Sequence, residues 1–286
     1  MADKTQLKNQ KNLGLALSGG GARGFAHIGV LKALTEEGIH VSSLSGCSMG
    51  GLVSALFAIG YSAKEIEQIA IKHTTVREMI NLVDRTPRRR GLIVGQRLKN
   101  LLAQLIGKDT TFKDTLIPLS LNAVDLITSH EAVLTEGNLL DAVMSTIAIP
   151  GFFAPVNIGK MQLIDGGTLN NLPVSNLKLF SPEIIMAVDV HPDTKREVPW
   201  QFSEQKVRFP LPVPDFFLDF YRAQLIMISK LTELNLEQDK PDLLITPNLP
   251  PEITMFYGYQ RADKIIAQGE KSMRKNMEKL KVILYK

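Results

Sequence analysis

The pentapeptide Gly46-Cys47-Ser48-Met49-Gly50 has the pattern G-x-S-x-G. Small residues on both flanks permit a strained strand-to-helix turn on which the serine side chain stands exposed, and the N–H of the following residue faces the reacting carbonyl. Ser48 is the candidate nucleophile, Gly46 and Gly50 frame the elbow, and Met49 is a candidate oxyanion donor. Cys47 reads as packing inside the turn. Upstream, Ser18–Gly24 (SGGGARG) forms a glycine loop. Consecutive glycines let amide groups point one way, beside a helix N-terminus with its partial positive charge. Such a loop can hold any oxyanion, including the transient one of acyl transfer.

Gly19, Gly21 and Gly24 also fit G-x-G-x-x-G. A dinucleotide site would need an acidic residue near Val41–Ser48, which has none, and no Gly-Lys-Ser/Thr follows for a P-loop. Both nucleotide readings lack their partner residues. The histidines are His27, His40, His73, His130 and His191. Only His191, in VDVHPD, follows a well-placed aspartate, so it alone could complete a Ser-Asp-His triad. Against that, the serine arrives after only two strands and no HGGG-type loop is present, so a strand-end role weighs more. His27 reads as a packed or capping residue.

The elements that must position these residues follow from apolar spacing. Strands are expected at Leu13–Leu17, Val41–Leu44, Leu119–Ile127, Glu131–Leu134, Gln162–Ile164 and Ile184–Val190. Helices are expected at 25–38, 50–59, 63–72, 95–106, 139–147, 220–236 and 252–280. Strand–helix alternation at the start predicts an α/β fold with a mainly parallel sheet. With no repeat and no long linker, residues 13–286 read as one domain after a flexible tail over 1–12.

The 286 residues carry 33 Lys+Arg and 29 Asp+Glu, a net charge of +4, too small an excess for a dedicated nucleic-acid binder. The single cysteine excludes an intramolecular disulfide and a multi-thiolate zinc site. Carboxylates do not cluster with calcium-loop spacing. No secretory signal opens the chain, which favours a cytoplasmic protein. Two uncharged stretches, Val41–Ala63 and Ala142–Gly159, have the length of membrane spans but are broken by serines, glycines and prolines, so they read as buried core. The densest basic run, Arg85 with Arg88–Arg90, is either a solvated turn or a contact for an anionic membrane surface. Trp200, Phe202, Phe209, Phe216, Phe217 and Phe220 suit core, a subunit interface or a lipid-docking lid.

SGGGARGFAHIGVLKAL, GCSMGG, MSTIAIPGFFAPV and LIDGGTLNNLPV, in this order, resemble the four blocks of patatin-like phospholipases, in the bacterial neuropathy-target-esterase-like branch. The resemblance covers roughly Leu13–Val190. It implies a three-layer α/β sandwich with helices on both faces, and a Ser-Asp dyad of Ser48 and Asp165, the latter in the D-G-G motif. It also implies an oxyanion hole from Gly19, Gly20, Gly21, Ala22, Arg23 and Gly24, with Met49. Arg23 either attracts an anionic headgroup or faces water at the loop's edge. Asn170, Asn171 and Pro173 shape the loop after the aspartate. An aspartate of ordinary pKa is a weak base for a hydroxyl, and burial between apolar walls would raise it. The implied activity is hydrolysis of phospholipid, lysophospholipid or related acyl esters without metal or organic cofactor. An acyltransferase with the same acyl-enzyme and a non-catalytic lipid-binding module are the alternatives, and a homo-oligomer stays open.

Overall fold

A computed structural model describes residues 10–74, 95–191, 215–255 and 257–285, apart from the side chains of 215–218 and 221. The basic run at Arg85–Arg90 and the side chains of Trp200, Phe202, Phe209, Phe216 and Phe217 lie outside this description.

The apolar run Leu13–Leu17 forms β1, buried throughout at the middle of the sheet. The glycine loop follows and tightens into a 3-10 turn at Gly21–Phe25 before α1, Ala26–Glu36. Next come β2, Val41–Gly46, and α2, Ser48–Ala58. Then α3, Ala63–His73, and α4, Gln96–Ile106, lead to β3, Leu119–Asp125, and β4, His130–Leu134. After α5, Leu139–Thr146, come β5, Val156–Ile158, and β6, Met161–Asp165. The chain closes with β7, Ile184–Val188, α6, Asp215–Gln238, β8, Leu243–Ile245, and α7, Ala262–Tyr285.

The sheet runs β5-β6-β3-β2-β1-β7-β8, with β4 also on β3. The pairs from β3 through β2, β1 and β7 to β8 are parallel; those involving β4, β5 and β6 are antiparallel. Side chains alternate across a strand, so each face buries its own set. Leu13, Leu15, Leu17, Ile184, Met186 and Val188 enter the larger core with α1, α2 and α7. Ala16 and Ala187 face the other way, into a smaller core with Leu172, Val174 and Leu177, against which Leu236 of α6 packs. Both faces are covered, which is the expected three-layer, mainly parallel architecture.

Two features of this frame fix the site. β3 serves as a common ruler: Gly46 pairs with Leu121 and Asp165 with Ala123. The strand that delivers the serine and the strand that delivers the aspartate are thus keyed about 7 Å apart along one neighbour. The helix leaving the glycine loop is fixed by a close crossing. A Cβ at Gly29 of α1 would lie 1.9 Å from the Ile266 carbonyl oxygen, and one at Gly269 of α7 would lie 1.9 Å from that of Ala26. The two backbones touch where only glycine fits.

Several boundaries differ from expectation. β2 continues to Gly46 and α2 begins at Ser48 rather than Gly50, because Cys47 is still extended. The three-residue strands β5 and β8 were too short to show a period. The last helix begins at Ala262, not at residue 252, since Gly258 at φ +107° takes the chain out of helical geometry just before the 3-10 turn that leads into it. Residues 10–12, expected as tail, are pinned: Gln10 bonds the backbone of His40, the Lys11 amide donates to the Leu284 carbonyl, and the Asn12 amide donates to Glu183. Among the described residues no helix is long and apolar enough to cross a membrane.

Candidate active site

Ser48 opens α2 with φ +51°, a left-handed conformation that costs a non-glycine residue energy. The strain is held from several sides. Its amide donates to the buried Thr146 Oγ1 at 2.9 Å, and the Gly51 amide donates to the Cys47 carbonyl at 3.0 Å. A Cβ at Gly50 would lie 2.4 Å from the Leu17 carbonyl oxygen, so the helix start is pressed against the end of β1. A Cβ at Gly46 would lie 2.6 Å from the Gly51 Cα. Both flanks of the elbow therefore need glycine. The first turn of a helix leaves amides without intrahelical acceptors, and here that turn contains Met49 and Gly50.

Asp165 ends β6 and is 6% exposed, as is Ser48. Burial pushes its carboxyl up to about 6, opposed by hydrogen bonds from the Ser48 hydroxyl, the Gly167 amide and the Cys47 thiol. The Gly167 amide reaches Oδ1 at 2.8 Å and the Cys47 Sγ approaches the same oxygen at 3.6 Å. Cys47 was expected to pack only. Its thiol is driven well above the usual range, by burial first and the Asp165 charge second, so it remains an S–H donor to the carboxylate.

The glycine loop passes over the elbow: a Cβ at Gly19 would lie 3.1 Å from the Ser48 Cβ, and one at Gly24 would lie 2.4 Å from the Met49 Cγ. Two amides expected in the oxyanion hole are committed within the protein. The Gly19 N–H donates to the Asn171 carbonyl at 3.0 Å and the Arg23 N–H to the Gly20 carbonyl at 3.1 Å. Gly20, Gly21, Ala22 and Gly24 complete the loop, with Gly21 at φ +54°. Arg23 does not face water at the loop's edge. It is 2% exposed, and its guanidinium donates to the carbonyls of Val190 and Ile253 at 2.6 and 3.0 Å. This aliphatic-stemmed fork was read as a surface group because carbonyl partners more than 160 residues away leave no sequence trace.

Asp189 Oδ1 accepts the His191 backbone amide at 2.9 Å. His27 is wholly buried and its Nε2–H donates to the Ser18 carbonyl at 2.8 Å; burial lowers its pKa to about 4, keeping the ring neutral. It is a packed histidine under the glycine loop. Asn171 ties the loop after the aspartate to the glycine loop, accepting from Gly19 and donating its Nδ2–H to the Gly19 carbonyl at 3.4 Å. Asn170 turns instead toward Glu131, at 3.1 Å. Thr146 was missed by sequence reasoning, although it sits in the MSTIAIPGFF block.

A serine elbow and a buried aspartate, bridged by a glycine loop on a mainly parallel three-layer sheet, define a patatin-like α/β fold. That fold is shared over 95% of this chain and 67% of the other with VipD from Legionella pneumophila, at TM-score 0.54 and 14% identity. It is also shared with human GIVD cytosolic phospholipase A2, over 96% of this chain and 59% of the other, at TM-score 0.50 and 12% identity. Residues 15–178 match the Patatin-like phospholipase family, and the chain belongs to that family. It is 34% identical over 180 residues to an uncharacterized NTE family protein of Mycobacterium tuberculosis and 32% identical over 183 residues to Neuropathy target esterase sws of Drosophila melanogaster. A Pyricularia oryzae protein named Lysophospholipase NTE1 is 30% identical over 184 residues. Each match covers 63% of this chain but only 30%, 13% and 12% of the respective relative.

Proposed function

We propose that this chain is a serine acyl hydrolase that cleaves acyl esters of lipids, phospholipids or lysophospholipids, through a Ser48–Asp165 dyad. Ser48 Oγ attacks the ester carbonyl while its proton passes to Asp165. The tetrahedral oxyanion is held by glycine-loop amides other than those of Gly19 and Arg23, together with the amide of Met49. Collapse expels the alcohol, which takes the proton back from Asp165 and leaves an acyl-serine. Water then attacks that ester, Asp165 again accepting the proton, and the fatty acid leaves as Ser48 recovers its hydrogen.

The observation that carries this reading is the strained Ser48 bonded to a buried carboxyl whose pKa is about 6. A base so tuned is ionised at neutral pH yet strong enough to take a hydroxyl proton in the transition state. A fluorophosphonate is the apt covalent probe, since the GIVD phospholipase is described in complex with methyl gamma-linolenyl fluorophosphonate. Asp165→Asn and His191→Ala decide between dyad and triad. The dyad predicts loss of hydrolysis in the first and near-normal hydrolysis in the second; the reverse result would contradict it.

A further inference from the structure

Beyond the family-matched segment, residues 250–255 and 257–259 bear directly on the glycine loop. Arg23 spans from the loop to this segment and to the end of β7: Nε donates to the Val190 carbonyl at 2.6 Å, while Nη1 donates to the Ile253 carbonyl at 3.0 Å and reaches that of Pro250 at 3.5 Å. The backbone of Met255 lies on Gly21, where a Cβ would come within 2.3 Å of the Met255 carbonyl oxygen and 2.5 Å of its Cα. That carbonyl is fixed in turn by the Tyr259 hydroxyl, which donates to it at 2.9 Å. The Tyr259 ring meets Phe25, the last residue of the loop's 3-10 turn, edge-on at 5.8 Å between centroids. Internal bonds keep the segment in shape. The Ile253 amide donates to the Pro250 carbonyl, the Thr254 amide to that of Tyr257, and the Tyr257 amide back to Thr254 Oγ1. Arg261 pairs with Glu252 at 3.0 Å.

From these contacts we infer that residues 250–255 and 257–259 are a strap that, clamped by Arg23, sets the position of the glycine-loop amides relative to Ser48. Arg23 is accordingly a positioning residue that acts on the transition state through the loop backbone. A planar fork reaches several carbonyls at fixed angles, which a lysine ammonium on a flexible stem does not reproduce. Loop amides placed for the oxyanion matter in the transition state more than in the bound substrate, so the strap should govern kcat and leave KM nearly alone. This inference rests on the dyad reading, and its test separates the two.

The substrate for the test is a small neutral ester, p-nitrophenyl butyrate, which carries no headgroup for Arg23 to meet. Arg23→Ala should lower kcat by about 100-fold with KM little changed, the size of loss that a misplacement near 1 Å produces. Millimolar guanidinium should restore part of that kcat, whereas Arg23→Lys should remain impaired. Tyr259→Phe removes one hydroxyl from the strap without touching the loop, and should lower kcat by roughly tenfold; circular dichroism checks that each variant is folded. If Arg23→Ala keeps kcat on the neutral ester and loses only KM for anionic phospholipid, Arg23 is a headgroup contact and the strap is wrong. If Arg23→Ala does not fold, Tyr259→Phe decides: unchanged kcat overturns the proposal. A wild type that turns over no ester and takes no fluorophosphonate at Ser48 would remove the hydrolase reading and the strap's role with it.

Discussion

Two serine–aspartate pairs end strands of this sheet, Ser18 with Asp189 after β1 and β7, and Ser48 with Asp165 after β2 and β6. Ser18 is wholly buried; its Oγ accepts the Val190 amide at 2.9 Å and bonds the Asp189 carboxyl. Burial raises the Asp189 carboxyl, opposed by the His191 amide and Ser18 hydroxyl that donate to it and, least, by the Arg23 guanidinium. Hydroxyl and carboxylate are both committed to holding two strand ends and the loop together. Ser48 sits on a strained φ beside the open first turn of α2, and the groups that tune Asp165 are all neutral donors. The same two side chains make a latch when a cation and a backbone amide complete them. On the proposed mechanism they make a reactive pair when backbone strain and the open first turn of a helix surround them.

The comparison breaks most sharply at the serines. Ser48→Ala should cut ester turnover about 10⁴-fold or more and leave the melting temperature nearly unchanged. Ser18→Ala should leave measurable turnover but cost about 1–3 kcal/mol of stability, because the Val190 amide and Asp189 lose a buried partner. Steady-state kinetics and thermal melts on both variants check this. Similar behaviour in the two would erase the distinction.

Burial raises the carboxyls of both aspartates. The Asp165 carboxyl is raised to about 6 in the folded chain from 3.8, so the native state binds the proton more tightly and stability falls as pH rises through that window. Its ionisation at pH 8 costs on the order of 3 kcal/mol. Asp165→Asn should therefore abolish turnover and melt higher than wild type at pH 8. Asp189→Asn also removes a burial-raised carboxyl but takes an acceptor away from the Ser18, His191 and Arg23 latch, so it should leave measurable turnover and raise the melting temperature less than Asp165→Asn does.

The pH dependence sharpens this further. Turnover should fall on acidification through about pH 6, as Asp165 gains its proton. His27 acts oppositely on stability: lowered to about 4 from 6.5, it makes the unfolded chain the better proton binder, so stability is lost as pH falls between those values. In wild type the two slopes largely cancel between pH 4 and 6. In Asp165→Asn the Asp165 slope is gone, and denaturant melts across that range should show stability rising with pH more steeply than in wild type. Smallest of all, Cys47→Ala removes the thiol that donates to Asp165, and should move the acidic limb of the activity profile upward by a fraction of a pH unit.

What the sequence disclosed follows the range of the interactions. The elbow was legible because Gly46, Ser48 and Gly50 are local and the requirement for glycine is steric. The sheet was legible where strands are apolar runs of five or more residues, as in β1 and β7, and illegible where β5 and β8 have three. Asp165 was placed through its motif, but its register against Ala123, two residues from the Gly46 partner, is a tertiary fact. The role of Arg23 could not be read at all, since its partners Val190 and Ile253 are carbonyls, and carbonyls have no letter in a sequence. The 252–280 helix reading failed for a related reason: Arg23, Gly21 and Phe25 hold Ile253, Met255 and Tyr259 against the glycine loop ahead of α7.

The central claim is that Ser48 reacts because Asp165, and no histidine, takes its proton. Its most direct test is the rate of fluorophosphonate labelling, with the modified residue mapped by mass spectrometry, in wild type, Asp165→Asn and His191→Ala. The account predicts label on Ser48 at equal rates in wild type and His191→Ala, and almost none in Asp165→Asn. Label elsewhere, or labelling that survives Asp165→Asn and collapses in His191→Ala, would contradict it.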